Sequence, residues 1–340
     1  MKKKEKKIAI VTDAWDPQVN GVVRTLKKTG HCLLKEGYDV KFITPEFCKT
    51  VPCPSYPEIR LALLPGNVIS REIEKFNPHA IHIATEGPVG HAGRAFCKKN
   101  KIPFTTSFHT QFPEYLNLRT LIPISWTYSY LRRFHNFGKR ILVPSKSRQL
   151  ALESRGFKDV VVWSRGVDID TFNAEKPYKY NLPRPIHIYM GRVAVEKNIE
   201  AFLRLNLPGS QVVIGDGPDL AKLKKKYQDA HFLGAKFGQE LGRFLAGGDC
   251  FVFPSKTDTF GLVLLEAMAC GLPVAAYPVE GPIDIVLDGK TGALNQDLKK
   301  AIKNALLIER QDCQNYARGF TWESCTKTFE SNLCFNNDGR

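Results

Sequence analysis

Two carboxylates and two cations in this chain stand at spacings suited to group-transfer chemistry. Residues 255–271 read SKTDTFGLVLLEAMACG, with Asp258 and Glu266 eight positions apart and Gly261 between them. The preceding CFVFPS, residues 250–255, predicts a buried strand that ends in a loop. Leu262 to Cys270 predicts a helix that opens near Phe260 and Gly261 and stops at Gly271, with Pro273 beyond. The first N–H groups of such a helix and its positive dipole end can hold an anion. Asp258 falls just before that start, and Glu266 lies along the helix with its side chain leaning back towards the N-terminus. A strand–loop–helix unit with a capping Asp accounts for Asp258 alone. It does not account for Glu266 set among Leu264, Leu265, Ala267 and Met268, where a bare carboxylate is costly and calls for a polar partner or a ligand. Upstream, YMGRVAVEKN places Arg192 and Lys197 at the end of another predicted strand. Two cations held there can neutralise a diphosphate and stabilise it as a leaving group.

Amides and cations for a diphosphate, one acid near a sugar and one near ribose hydroxyls together suit a nucleotide sugar. Further candidates lie in the first half. Strand one runs into DAWDPQVNGVVR, residues 13–24, where Asn20-Gly21 is a turn at a helix start with amides for an anion, and Gly21 permits close approach of backbone to ligand. His109, in TTSFHTQFPEY, follows a strand and is expected at the edge of a cleft, although a lone histidine is more often structural than catalytic. Glu86 ends the preceding strand. Residues 119–137, RTLIPISWTYSYLRRFHNF, mix Trp126 and other aromatics with Arg119, Arg132 and Arg133, a composition that suits a membrane interface as well as a helix packed on its own domain.

These residues need elements to hold them, and the chain supplies strands and helices in alternation, the mark of parallel α/β structure. Expected strands include 8–12, 39–44, 80–83, 104–108, 141–144 and 160–163, then 186–190, 211–214, 231–233, 250–253 and 274–276. Helices are expected at 21–34, 71–76, 89–99, 146–154, 199–205, 218–227 and 298–307. The polar stretch 170–185, with Pro177, Pro183 and Pro185, reads as a connector. At 340 residues two domains are comfortable. Two doubly wound domains bind ligands at the carboxyl ends of their strands, with a cleft expected between them. The net charge of +15 is lopsided: residues 1–170 hold 28 Lys and Arg against 15 Asp and Glu, and the rest 21 against 19. A basic first half attracts an anionic surface. No helix-turn-helix, zinc or RNA-binding signature accompanies it, so nucleic acid is not the expected partner and an anionic leaflet is. The nine cysteines lack Cys-x-x-Cys spacing and read as reduced thiols. No apolar run reaches membrane-span length and MKKKEKK leads into a strand, so the expected place is cytoplasmic, peripheral on the inner face of the membrane.

The segment from Asp258 to Glu266 resembles the donor-site signature of retaining, two-domain (GT-B type) nucleotide-sugar glycosyltransferases, the family of bacterial mannosyltransferases, sucrose-type synthases and diacylglycerol-glycosylating enzymes. Gly191-Arg192 with Lys197, Gly215-Asp216-Gly217-Pro218 and Gly166-Val167-Asp168 resemble its other motifs, so the likeness covers nearly the whole chain. Most members carry Glu where this chain has Asp258, one methylene shorter. The resemblance implies two Rossmann-like domains, 1–170 on the acceptor side and 171–319 for the donor, with 320–340 crossing back to the first. It implies His109, Arg192, Lys197 and Asp258 as catalytic, and Gly21, Arg192, Lys197, Phe260, Gly261, Leu262 and Glu266 as donor-binding. Arg119, Trp126, Arg132 and Arg133 fall to the acceptor and membrane. No cofactor and no metal are implied beyond the nucleotide-sugar donor; Asp168-Ile169-Asp170 has the letters of a metal motif but lies in the Gly-Val-Asp turn. The implied reaction is a retaining, metal-independent hexosyl transfer, from GDP-mannose first or a UDP-hexose second, to a lipid such as diacylglycerol. The alternatives are a transferase for a soluble or polysaccharide-precursor acceptor, and a binding protein that has lost catalysis.

Overall fold

The computed structural model describes residues 6–18, 20–53, 56–111, 113–114, 122–173 and 175–336. Two compact units emerge: Met1–Arg165 with Trp322–Arg340, and Gly166–Thr321.

In the first unit, strands β1 (Lys7–Val11), β2 (Asp39–Ile43), β5 (Ala80–Ile83), β6 (Thr105–Ser107), β7 (Arg140–Val143) and β8 (Val160–Val162) form a parallel sheet in the order β2-β1-β5-β6-β7-β8. A separate antiparallel hairpin, β3 (Thr50–Cys53) with β4 (Tyr56–Ala62), interrupts the alternation. Sequence pattern misses this hairpin because Pro52, Pro54 and Pro57 speak against strands except at an edge. The helix Gly21–Lys35 starts where Asn20 Oδ1 accepts from the amides of Val22 and Val23, both at 3.0 Å. Against this helix packs the C-terminal helix Trp322–Asn332. It is fastened by Trp163 Nε1–H to the carbonyl of Cys325 at 3.1 Å, and by the ring of Phe329 lying 4.9 Å from that of Trp163.

The second unit repeats the plan. Strands β9 (Ile186–Met190), β10 (Ser210–Ile214), β11 (His231–Phe232), β12 (Cys250–Phe253), β13 (Val274–Ala276) and β14 (Gly292–Leu294) run parallel in the order β11-β10-β9-β12-β13-β14. Both faces are covered by helices, so the strands are apolar on both sides. Ile188 and Met190 enter one core and Tyr189, between them, the other. The stretch read as a connector is packed into this unit: Phe172 is buried, Tyr178 stacks on Phe244 at 4.2 Å, and the Tyr180 hydroxyl donates to the carbonyl of Phe244. Apolar residues hidden among polar ones give the segment a core face that composition alone conceals.

Strand order reverses between β9 and β12, and there the loops from the two strands leave the sheet side by side. The loop after β9 is also pressed from the β10 side. A Cβ on Gly215 would stand 1.9 Å from the carbonyl oxygen of Gly191, and Gly215 has φ +149°. Gly215→Ala should therefore destabilise the protein by about 2 kcal/mol or more in urea unfolding. Gly66→Ala, where an added Cβ meets nothing within 4 Å, should stay within about 0.5 kcal/mol of the parent. Equal stability of the two variants would show that the strand ends are looser than this.

Candidate functional site

At the switch point of the second unit, β9 delivers Arg192 and Lys197 and β12 delivers Asp258. The two loops are tied together. Lys197 Nζ donates to Asp258 Oδ1 at 2.5 Å, with both side chains about one-fifth exposed (21% and 17%). Asn198 Nδ2 donates to the carbonyl of Pro254 at 3.0 Å, and Thr257 Oγ1 to the carbonyl of Glu196 at 3.2 Å. The second oxygen of Asp258, Oδ2, is buried and finds no hydrogen-bond partner among the described residues. A buried acceptor of this kind is costly unless something donates to it.

The β9 loop has its own supports. The Tyr189 hydroxyl donates to the carbonyl of Arg192 at 2.8 Å, Val193 N–H to the carbonyl of Asp216 at 2.8 Å, and Asp219 N–H to the carbonyl of Val193 at 3.1 Å. The Gly-Asp-Gly-Pro turn is thus the bed on which the Arg192 loop lies. Tyr189 was not legible as a site residue. The signal available was a tyrosine in a buried strand, whose hydroxyl must find an acceptor.

Beside the loops, the helix Leu262–Ala269 begins at Gly261, which has φ +88° and, as a glycine, brings no side chain to the first amides. Phe260 and Leu262 pack against the apolar core, so what they present to a ligand is backbone. Glu266 is 2% exposed on this helix, as its apolar neighbours led one to expect. The far end of the helix is steadied by Arg310, which donates to the carbonyls of Cys270 at 3.3 Å and Ala246 at 2.8 Å. Arg192, Lys197, Asp258, Gly261, Leu262 and Glu266 all belong to this strand-end region of one unit.

The first-unit candidates are dispersed. Gly21 is exposed at its helix start, but two of the amides expected to meet an anion there are taken by Asn20. Asp13 occupies the start of the helix Pro88–Lys99, accepting from Val89 N–H at 2.7 Å, Gly90 N–H at 3.1 Å and Thr85 Oγ1 at 2.8 Å. Removal from water still pushes its carboxyl above the ordinary aspartate value. His109 is buried after β6, with Nε2 at 2.8 Å from Ser107 Oγ and Nδ1 at 3.1 Å from Arg165 Nη2. Burial, then the Arg165 charge, holds its pKa well below the usual histidine value. Glu86 meets the buried His135 at 3.0 Å. On the helix Ile124–His135, Tyr128, Leu131 and Phe134 face the core, while Trp126, Arg132 and Arg133 are exposed. Arg119 lies outside the described residues. Asp168 Oδ1 accepts from Thr171 N–H within its turn at 3.3 Å.

The pattern of Glycosyltransferase Family 4 matches residues 19–171, and that of Glycosyl transferases group 1 matches residues 184–309. A GDP-mannose-dependent alpha-mannosyltransferase of Mycolicibacterium smegmatis is 30% identical over 85% of this chain and 84% of its own length. The chain is a member of this glycosyltransferase family. The sulfoquinovosyl transferase SQD2 of Arabidopsis thaliana is 34% identical over 72% of the chain, which spans about half (52%) of that protein. The alpha-monoglucosyldiacylglycerol synthase of Acholeplasma laidlawii is 26% identical over 89% of the chain and 88% of its own length. Among solved structures, the sucrose-phosphate synthase of Thermosynechococcus elongatus superposes with TM-score 0.75 at 18% identity, covering 96% of this chain and 98% of that one. The fold of the transferase is GT-B.

Two consequences can be measured. Tyr189→Phe removes one hydrogen bond under Arg192 without opening a cavity, and should slow turnover about tenfold while thermal unfolding moves little. A rate equal to the parent's would mean that the glycine turn alone holds the loop. The second concerns acid. His82 is fully buried, and burial pushes its pKa down to about 3. The unfolded chain therefore binds protons below about pH 6.5 that the folded chain refuses. Stability should be fully present above that pH and fall steadily towards pH 3 in urea titrations. A flat profile from pH 7 to 5 would contradict the burial of these rings.

Proposed function

We propose that the transferase moves a hexose from a nucleoside-diphosphate sugar to a hydroxyl of a membrane lipid such as diacylglycerol, with retention and without a metal ion. GDP-mannose is the first donor and a UDP-hexose the second. The observation that carries this reading is the Lys197–Asp258 pair at 2.5 Å, on the loop that carries Arg192, with a helix start at Gly261. In the donor complex the diphosphate charge falls to Arg192, Lys197 and the amides after Gly261. Asp258 Oδ2 takes a sugar hydroxyl and Glu266 the ribose hydroxyls. As the sugar–phosphate bond breaks, the same cations stabilise the leaving diphosphate. The acceptor oxygen attacks from the face the diphosphate leaves, and a phosphate oxygen receives its proton. The name of the Mycolicibacterium relative supports mannose, and that of the Acholeplasma relative supports a diacylglycerol lipid.

The lipid acceptor draws further support from the surface of the first unit. Trp126 is 72% exposed, Tyr130 53% and Phe137 49%, and Arg94 and Lys98 lie over the Phe137 ring at 4.7 and 4.8 Å. Exposed Trp and Tyr rings amid cations suit the headgroup level of a bilayer. Among the described residues no helix is long and apolar enough to cross a membrane. We place the enzyme peripherally on the inner, anionic leaflet.

Arg192→Ala or Glu266→Ala should lower transfer by about 100-fold or more, roughly 3 kcal/mol, with the fold intact by circular dichroism. Activity should persist in EDTA, since protein cations meet the phosphate charge. Near-normal rates in either variant would remove the site assignment, and loss in EDTA restored by manganese would remove metal independence. In flotation assays the protein should bind anionic liposomes and be released by salt. Reversing Arg132 and Arg133 should weaken this more than reversing Lys224 and Lys225. Binding to neutral and anionic vesicles alike, or to neither, would favour a soluble acceptor.

A further inference from the structure

Arg165 is the unusual charge of the first unit. It is 4% exposed, and among the described residues no carboxylate pairs with it. Buried charges ordinarily have a counter-charge. Here Nη1 donates instead to the carbonyls of Trp163 at 2.5 Å and Ser164 at 3.2 Å, and the guanidinium lies 4.4 Å from the centre of the Trp163 ring. These contacts fix the plane of the group. The remaining contact runs from Nη2 to Nδ1 of His109 at 3.1 Å.

The direction of that last bond follows from chemistry. A guanidinium has donors only, so His109 Nδ1 must accept. The Nδ1–H tautomer and the imidazolium are both excluded, because each would set one N–H against another. The proton therefore resides on Nε2, which donates to Ser107 Oγ at 2.8 Å. Ser107 passes its own hydrogen inward, to His82 Nε2 at 3.0 Å or the carbonyl of Ala84 at 3.3 Å, and His82 Nδ1 meets Thr105 Oγ1 at 2.8 Å. Besides burial, the charges that oppose a positive ring are Arg165 after β8, His82 on β5 and His135 on the helix Ile124–His135. Trp163 meets the His109 ring edge-on, 5.7 Å between centroids.

We propose that Arg165 is a positioning residue that locks His109 as the Nε2–H tautomer with both ring nitrogens engaged inside the first unit, so that His109 serves transfer through its fixed place and not as a proton carrier. The proposal rests on the reading of His109 as a site residue and adds how that residue works. A histidine used for general catalysis needs one nitrogen turned to substrate. Here each nitrogen has an internal partner, and the cation bonded to Nδ1 is itself anchored on two carbonyls.

The test is a two-bond 1H–15N spectrum of 15N-histidine-labelled protein, with His109 assigned by its loss in His109→Gln. In the parent, His109 should show a protonated Nε2 and an unprotonated Nδ1, unchanged from pH 8 to 5.5. Arg165→Met should bring in the second tautomer and a titrating ring. It should also lower kcat on the order of 10- to 100-fold with donor KM little changed. Arg165→Lys, which keeps a donor, should restore the single tautomer and part of the rate. An Nδ1–H or titrating His109 in the parent overturns the proposal, whether or not any variant folds. So does an unaltered spectrum in Arg165→Met, even with a reduced kcat, and in that case His109 keeps its place in the site. An altered spectrum with unaltered kcat leaves Arg165 a structural residue and removes His109 from the reaction.

Discussion

At the carboxyl ends of β9 and β10 two backbones lie closer than side chains allow. The carbonyl of Gly191 occupies the space where any Cβ at 215 would stand, and the carbonyl of Val193 lies 2.4 Å from the corresponding position at Gly217. Much of the candidate donor site depends on this contact. It sets the height at which the β9 loop leaves the sheet, and hence where Arg192 and Lys197 emerge. Lys197 in turn meets Asp258 from β12, so the crowding on one side of β9 is transmitted to the acid on the other. A second crowded glycine extends the chain of contacts: a Cβ at Gly281 would stand 2.9 Å from the carbonyl of Asp258 and 3.1 Å from that of Phe260. The loop carrying the acid is thus backed by main chain of the segment that follows β13.

The two units handle charge at their strand ends differently. The second collects opposite charges that are partly open to water, an arrangement a charged ligand can enter by exchanging one partner for another. The first ties its polar groups to partners of its own. Asp13 is given to helix amides, Glu86 to His135, and His109 to Ser107 and Arg165. A fully bonded set such as that of His109, with Ser107 and Arg165, is rigid and poorly suited to exchanging protons with a substrate.

Much of this was legible in the sequence, and the omissions have physical causes. The two doubly wound sheets follow from alternating short apolar strands and helical stretches, and the motif around Asp258 and Glu266 stands out because a carboxylate among leucines needs a reason. The hairpin Thr50–Ala62 was hidden by its prolines, and the packed face of residues 170–185 by the polar residues around Phe172, Tyr178 and Tyr180. Arg165 was passed over within a turn motif, since sequence cannot tell a buried guanidinium from a surface one. Tyr189 and Ser107 were invisible for a related reason: their importance lies in which neighbour the fold brings to a hydroxyl, and that neighbour is distant in the chain or, for Arg192, contributes only its backbone.

The first unit is built from both ends of the chain. Its helix Trp322–Asn332 lies on Gly21–Lys35, receives the indole N–H of Trp163 and places Phe329 against His82 at 4.8 Å between ring centres. On the ribosome the chain emerges in order, and residues 166–321 are all made before this helix exists. The second unit can close while the first still lacks the cover over Trp163 and His82. During that interval the apolar face of Gly21–Lys35 is open to water, which makes the nascent first half the stretch most in need of protection by a chaperone.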